Sequence, residues 1–379
     1  MCDLGRWFKP GQKGKVSQLD GKEEKTSIDD IKENLKEISL DEIHPDQYKT
    51  LFILGNGFDI MHHVKSKYTD FYSFLLGIRE KHPMDHDLEE LLFIMDHYIK
   101  AADPWSNVEE ALAKFDFERE MNIFDFEAKV YEWYRHAQES EDLREESQIE
   151  KYAACYSLLL SEGTRAIITY LERYLRIWAK SLTIDPKEKT LMILFPNGNS
   201  SKILCFNYTD FIESQYHIGH DQVCYIHGWC NASKGDPSEK LIIGFKFDED
   251  HKDDAWLKAL QNSVEDMEGC KKKFADTLMR FLIDRANNYV RSMSKNYEEI
   301  MNNHSEFFNS LEGIEQIVVI GHSLNDIDME YFDRINSITK TTCKRWAFTC
   351  HSESGKKRIK KFAQDHKIYN CYVLKIDNQ

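Results

Sequence analysis

The 379-residue chain carries 65 acidic against 50 basic residues, and its net charge of −15 excludes broad nucleic-acid binding, which needs a basic footprint. With 41% hydrophobic and 12% aromatic residues it can bury a large core, and its length admits one elaborate domain or two ordinary ones. No apolar run approaches the ~20 residues of a membrane-spanning helix. Nine cysteines in no disulfide-framework spacing, with no secretory signal pattern, point to a soluble protein of a reducing, cytoplasmic compartment.

Residues 1–46 read as a polar, flexible tail, with 11–25 too charged to bury anything. Within that tail, Ser27 as N-cap and Ile31, Leu35 and Ile38 on one face predict a short helix over 27–40. Residues 47–379 read as an α/β domain.

At 51–54 the chain is wholly apolar, as a strand buried on both sheet faces requires. The run stops at Gly55-Asn56-Gly57, read as a sharp turn in unusual backbone angles. Tyr68, Phe71, Tyr72 and Leu75 then recur at helical spacing. A strand, a glycine turn and a helix can aim backbone N–H groups at an anion. A lone Gly-x-Gly is a weak signal, equally compatible with a plain tight turn.

Residues 68–181 read almost throughout as helix, with Phe124, Phe126, Tyr131, Trp133 and Tyr134 as core and 139–150 as a solvated charged stretch. Strands follow at 201–207, 222–226 and 240–243. A helical block spans 254–311, and 316–320 reads as another buried strand. Strands at 345–350 and 369–376 flank a basic helix at 355–367. The pattern predicts a Rossmann-type, mostly parallel sheet with helical insertions at about 80–190 and 250–312. Four strands end in a small or polar cluster: Gly55-Asn56-Gly57, Asn207-Tyr208, His227-Gly228 and Gly321-His322-Ser323. In open parallel sheets ligands bind outside the carboxyl ends of the strands, so these clusters should converge on one crevice.

Taken together, Gly55-Asn56-Gly57-Phe58-Asp59, Lys65-Ser66-Lys67-Tyr68-Thr69-Asp70-Phe71, Phe206-Asn207-Tyr208-Thr209, Ile226-His227-Gly228 and Gly321-His322-Ser323-Leu324-Asn325-Asp326-Ile327-Asp328 resemble the bacteriophage abortive-infection AbiH family. More remotely, the set is similar to the sirtuin-like fold of NAD-hydrolysing antiphage effectors. That resemblance implies an antiphage effector that binds and hydrolyses NAD or a related nucleotide. Asn207 and His227 match the polar pair that acts on the nicotinamide ribose. Gly55, Asn56, Gly57, Phe58, Asp59, Tyr208, Gly228, Gly321, His322, Ser323 and Asp326 match positions around the ligand, with the diphosphate on the glycine turn. An oligomer or a phage-derived trigger is compatible with such a role.

The residue types suit the chemistry, since asparagine can orient ribose or water and histidine titrates near neutrality. The sequence departs from the sirtuin-like pattern at Asn56, Asp59 and Thr209, and the two Cys-x-x-Cys pairs of deacetylating sirtuins are absent. Other readings stay open at this point. Asn207 could cap a helix starting near Thr209, His227 could be a turn residue, and Asp59 could cap a helix or bond a ribose hydroxyl. Asp59, Asp326 and Asp328 could gather Mg²⁺ for phosphoryl chemistry. Cys224, His227 and Cys230 could bind zinc, although their spacing fits no common motif. A nucleotide-sensing module without catalysis is the non-enzymatic alternative.

Overall fold

A computed structural model describes residues 35–183, 191–195, 201–236, 238–247 and 255–376. The predicted disordered stretch at 11–25 and the start of the predicted tail helix lie outside them. Its end does not continue as a helix: Lys36–Ile38 forms strand β1. With alternating Lys-Glu-Ile and three residues, it is a short edge strand that buries only Ile38.

Strands β2 (Thr50–Leu54), β3 (Lys202–Cys205), β4 (Val223–Tyr225), β5 (Gln316–Ile320), β6 (Arg345–Thr349) and β7 (Cys371–Leu374) complete a seven-stranded sheet. The order is β1-β7-β6-β5-β2-β3-β4, and every pairing is parallel. The architecture is therefore α/β and Rossmann-like, as the apolar runs predict. β2 and β5 lie side by side at the centre, all ten of their residues buried. From β2 the chain proceeds outward to β3 and β4, and from β5 in the opposite direction to β6 and β7. This reversal is the topological switch point at which doubly wound sheets open a crevice.

Helices α1 (Asn56–Met61) to α8 (Glu162–Ser181) separate β2 from β3; among them are α2 (Tyr68–Lys81), α3 (His86–His97), α4 (Val108–Leu112), α5 (Phe117–Glu120), α6 (Ile123–Glu139) and α7 (Glu146–Leu159). α9 (Phe211–Tyr216) precedes β4. Then α10 (Ala255–Glu265), α11 (Gly269–Met293), α12 (Tyr297–Asn303) and α13 (Ser305–Asn309) intervene before β5, with α14 (Met329–Thr339) and α15 (Glu353–Asp365) after it. Leu91, Leu171, Leu175 and Tyr289 share one core of the inserted helices, and Phe126, Trp133, Phe274 and Leu278 a second. The aromatic run of α6 divides between two faces: Phe126 and Trp133 are buried, whereas Phe124 is 79% and Tyr131 63% exposed, contrary to a wholly core role. Residues 240–243 are not a strand. They pass beside a turn in which Gly228 takes φ +88°, and Ile242 N–H donates to His227 O at 2.8 Å without a ladder.

The glycines at the switch point work differently from the sequence expectation. Gly55 has extended backbone as the N-cap of α1, and Gly57 is already helical, so neither needs a left-handed conformation. They are required by proximity: a Cβ on Gly55 would sit 2.6 Å from His322 Cα, and one on Gly57 2.6 Å from Gly321 Cα. Gly321 alone takes a positive φ, +66°, and a Cβ there would meet Phe58 N at 2.2 Å. Gly321→Ala therefore combines backbone strain with a backbone clash and is expected to cost about 3 kcal/mol or more. Gly77, inside α2 with no atom within 4 Å of its would-be Cβ, is the control: Gly77→Ala should stabilise by about 0.5–1 kcal/mol. Urea unfolding should move the two midpoints in opposite directions; equal shifts would contradict the crossing described here.

Candidate functional site

The carboxyl ends of β2, β3, β4 and β5 open onto one cavity of about 380 Å³. From the sheet come Gly55, Asn56, Gly57, Asp59, Asn207, Tyr208, His227, Gly321, His322 and Ser323, which the sequence reading brings together. The inserted helices cover it with Tyr68 of α2, Glu109 of α4 and Trp178 of α8. Asn56 turns its amide to the adjoining loop, where Nδ2 donates to Ser66 O at 2.8 Å.

Asp59 is the most unusual group of the site. It lies inside α1, one turn beyond the cap, and is 1% exposed. Asn207 Nδ2 donates to Asp59 Oδ1 at 2.7 Å and to Gly55 O at 3.2 Å, while Thr209 Oγ1 donates to Asp59 Oδ2 at 2.7 Å. Burial outweighs these hydrogen bonds and pushes the carboxyl up to about 7. Asp59 is thus no helix cap. Nor is Asn207, because Asp210 occupies the N-cap of α9.

A second polar group surrounds Asp328. Its Oδ1 lies 3.0 Å from Lys295 Nζ and 3.4 Å from His227 Nε2, and its Oδ2 3.2 Å from His322 Nε2. Lys295 also meets His227 Nε2 at 3.1 Å and Glu109 Oε1 at 2.9 Å. Burial opposes charge on Asp328, but Lys295 and the two histidines hold its carboxyl well below the ordinary range. Burial likewise opposes the Lys295 ammonium, and Glu109 and Asp328 together hold it above its ordinary value. Burial first and Lys295 second push His227 down, so it is neutral at pH 7. The shorter contact makes His227 Nε2 the acceptor from Lys295, leaving its proton on Nδ1. His322 Nδ1 accepts from Leu324 N–H at 3.0 Å, which directs Nε2–H to Asp328. Phe206 packs against both imidazoles, with ring centroids at 5.1 and 4.6 Å.

Several expected contacts are not made. Phe58 points into the core beside His62, Phe211 and Tyr216. Gly228 serves the turn against Lys240 and does not line the cavity, and Asp326 is exposed outside it. Ser323 is exposed at the rim. Three backbone donors of the glycine turn are engaged within the fold: Gly55 N–H donates to Ile320 O at 2.9 Å, Gly57 N–H to Gly321 O at 2.8 Å and Phe58 N–H to Gly55 O at 2.9 Å. With Asp326 outside, the three aspartates considered for Mg²⁺ do not gather. Cys224 lies in the core, and among the described residues no three His, Cys, Asp or Glu side chains are grouped to hold a metal ion. Sequence reasoning missed Lys295 and Glu109. The one available signal was a charged residue within (Glu109) or just beyond (Lys295) an inserted helix, which looks the same as a solvated one.

The family model described as bacteriophage abortive infection AbiH matches residues 51–350, well over half of the chain. No curated protein and no solved structure matches it. Among the described residues no helix is long and apolar enough to cross a membrane.

The elevated Asp59 carboxyl has a measurable consequence. An acid whose folded pKa is raised from 3.8 to about 7 contributes stability that is full below pH 3.8 and is lost as pH rises through 7. The three-unit interval corresponds to about 4 kcal/mol. Asp59→Asn removes this titration, so its stability relative to the native chain should improve steadily between pH 4 and pH 7. Denaturant unfolding of both proteins across that range tests the point; a difference independent of pH would mean that Asp59 titrates normally.

Proposed function

The chain belongs to the AbiH family of bacteriophage abortive infection, and on that premise we propose that it acts by hydrolysing the N-glycosidic bond of NAD or a related nucleotide. The observation that supports this reading most is Asp59, a buried cavity carboxylate with a pKa of about 7, held through both oxygens by Asn207 and Thr209. Breaking a ribosyl bond builds oxocarbenium character, which a carboxylate beside the sugar stabilises, and a base near neutrality can take the proton of the attacking water. The motif likeness of Asn207 and His227 to the ribose pair of sirtuin-like sites supports the same chemistry.

In this reading water attacks C1′ of the nicotinamide ribose while the C1′–N bond breaks. The bonding electron pair leaves with the ring, which departs as neutral nicotinamide. Asp59 accepts the water's proton and later releases it to solvent. The sum is NAD⁺ and water to nicotinamide, ADP-ribose and a proton. Asn207 fixes the Asp59 carboxylate. His227, whose Nε2 accepts from Lys295, keeps Nδ1–H to donate to the ligand.

Purified protein incubated with NAD, NADP and other nucleotides, with chromatography of the products, is expected to release the base. Asp59→Asn and Asn207→Ala should each lower turnover by roughly 10²–10⁴ with the fold intact, and His227→Ala should do likewise. Nucleotide binding without any product would replace hydrolysis by sensing.

A finer test uses Thr209→Val, which keeps the shape but removes one donor to the Asp59 carboxylate. Hydrogen bonds to charged groups contribute about 1.5–3 kcal/mol, so the rising limb of the pH–rate profile should move from near pH 7 upward by about one to two units. An unmoved limb would take the base role away from Asp59.

A further inference from the structure

The ligand-facing charge of the cavity is one-sided. Asp59, Glu109 and Asp328 line it, and among the described residues no lysine or arginine does. Lys295 stands behind them, its side chain fully buried and paired to Glu109 and Asp328. Above pH 7, where Asp59 is ionised, one ammonium cannot neutralise three carboxylates, so the cavity presents negative charge to whatever enters. Its apolar wall is aromatic, from Tyr68, Trp178, Phe206 and Tyr208. Carboxylates beside aromatic faces suit a cation, and best a flat one. Ser66 also lines this wall, 9% exposed, and its buried Oγ has no hydrogen-bond partner among the described residues.

An anion has no such welcome inside, since the carboxylates repel it and the N–H groups of Gly55, Gly57 and Phe58 are already engaged. Positive charge is found instead at the rim. The carbonyl of exposed Ser323 accepts from Arg358 Nε at 2.8 Å, and Arg358 belongs to α15, which also carries Lys356, Lys357, Lys360 and Lys361.

We propose that the cavity takes the cationic, pyridinium-type end of its ligand against Glu109 and the aromatic wall, while the ligand's phosphates remain outside on Arg358. The choice of ligand class rests on the hydrolase reading above; the polarity of the site rests on the charges alone. Glu109, delivered by an inserted helix, becomes the specificity-determining residue for the cation.

Calorimetric titration of the full chain at pH 8 with 1-methylnicotinamide, a cation, and nicotinamide, its neutral counterpart, tests the polarity without any variant. The cation should bind roughly tenfold more tightly. Glu109→Gln should abolish most of that preference and leave ADP-ribose affinity within about twofold, whereas Arg358→Ala should weaken ADP-ribose by roughly tenfold and spare the cation. Equal binding of the two nicotinamides to the native chain overturns the proposal, as does ADP-ribose affinity that depends on Glu109 and not on Arg358. Preference for the cation without NAD turnover would leave this inference standing and remove the hydrolase reading. Turnover without that preference would do the reverse.

Discussion

The site depends on one backbone crossing. The turn after β2 and the end of β5 approach so closely that Gly57 N–H donates to Gly321 O at 2.8 Å and Gly55 N–H to Ile320 O at 2.9 Å. Side chains at these glycines would meet backbone atoms, so the approach is available only to residues without a Cβ. The crossing locks the start of α1 against the loop after β5. Asp59, one turn into that helix, is thereby set beside Asn207, and Asp328 is set beside His227. The same crossing uses two donors, Gly55 N–H and Gly57 N–H, that a glycine turn could otherwise offer to phosphate. The motif is therefore a structural clamp as well as a turn at the cavity.

Burial then decides the electrostatics. Asp59 and Asp328 both line the cavity, yet their environments push them in opposite directions. Asp59 has only neutral donors in Asn207 and Thr209, and desolvation prevails. Asp328 has a buried ammonium and two imidazoles, and these outweigh an unfavourable burial. Two carboxyl groups separated in this way can divide proton transfer from fixed charge. Burial first and the Lys295 charge second keep His227 neutral, and the same charge holds Asp328 ionised, so the second cluster behaves as one electrostatic unit.

What was legible in the sequence follows from where the information lies. β2 and β5 are readable because a strand buried on both faces must be apolar at every position. β1 is not, since an edge strand of Lys-Glu-Ile carries almost no such constraint and its pairing with β7 is set by the remainder of the sheet. Residues 240–243 have the apolar character of a strand because they are packed, without a partner edge to pair with. In the site, the clusters at the strand ends were visible because each departs from the run before it. Asp59 was open to a helix-cap reading because its real partners stand 148 and 150 residues away. Lys295 and Glu109 were hidden for a related reason: a charged residue in a helical stretch gives no sign of whether tertiary packing will cover it. Phe124 and Tyr131 show the converse, aromatics that local pattern assigns to a core and packing leaves in solvent.

The distances in sequence between partners in the site bear on when the site exists. Asn207 reaches Gly55 across 152 residues, and the clamp itself joins residues on either side of both helical insertions. Contacts of this range can close only once the intervening chain is present. Synthesis proceeds from the amino end, so Asp59 is made long before Asn207, and both before Gly321 and Asp328. A nascent chain lacking β5 has neither the clamp nor the second cluster. A partly made or partly folded copy therefore has no assembled cavity.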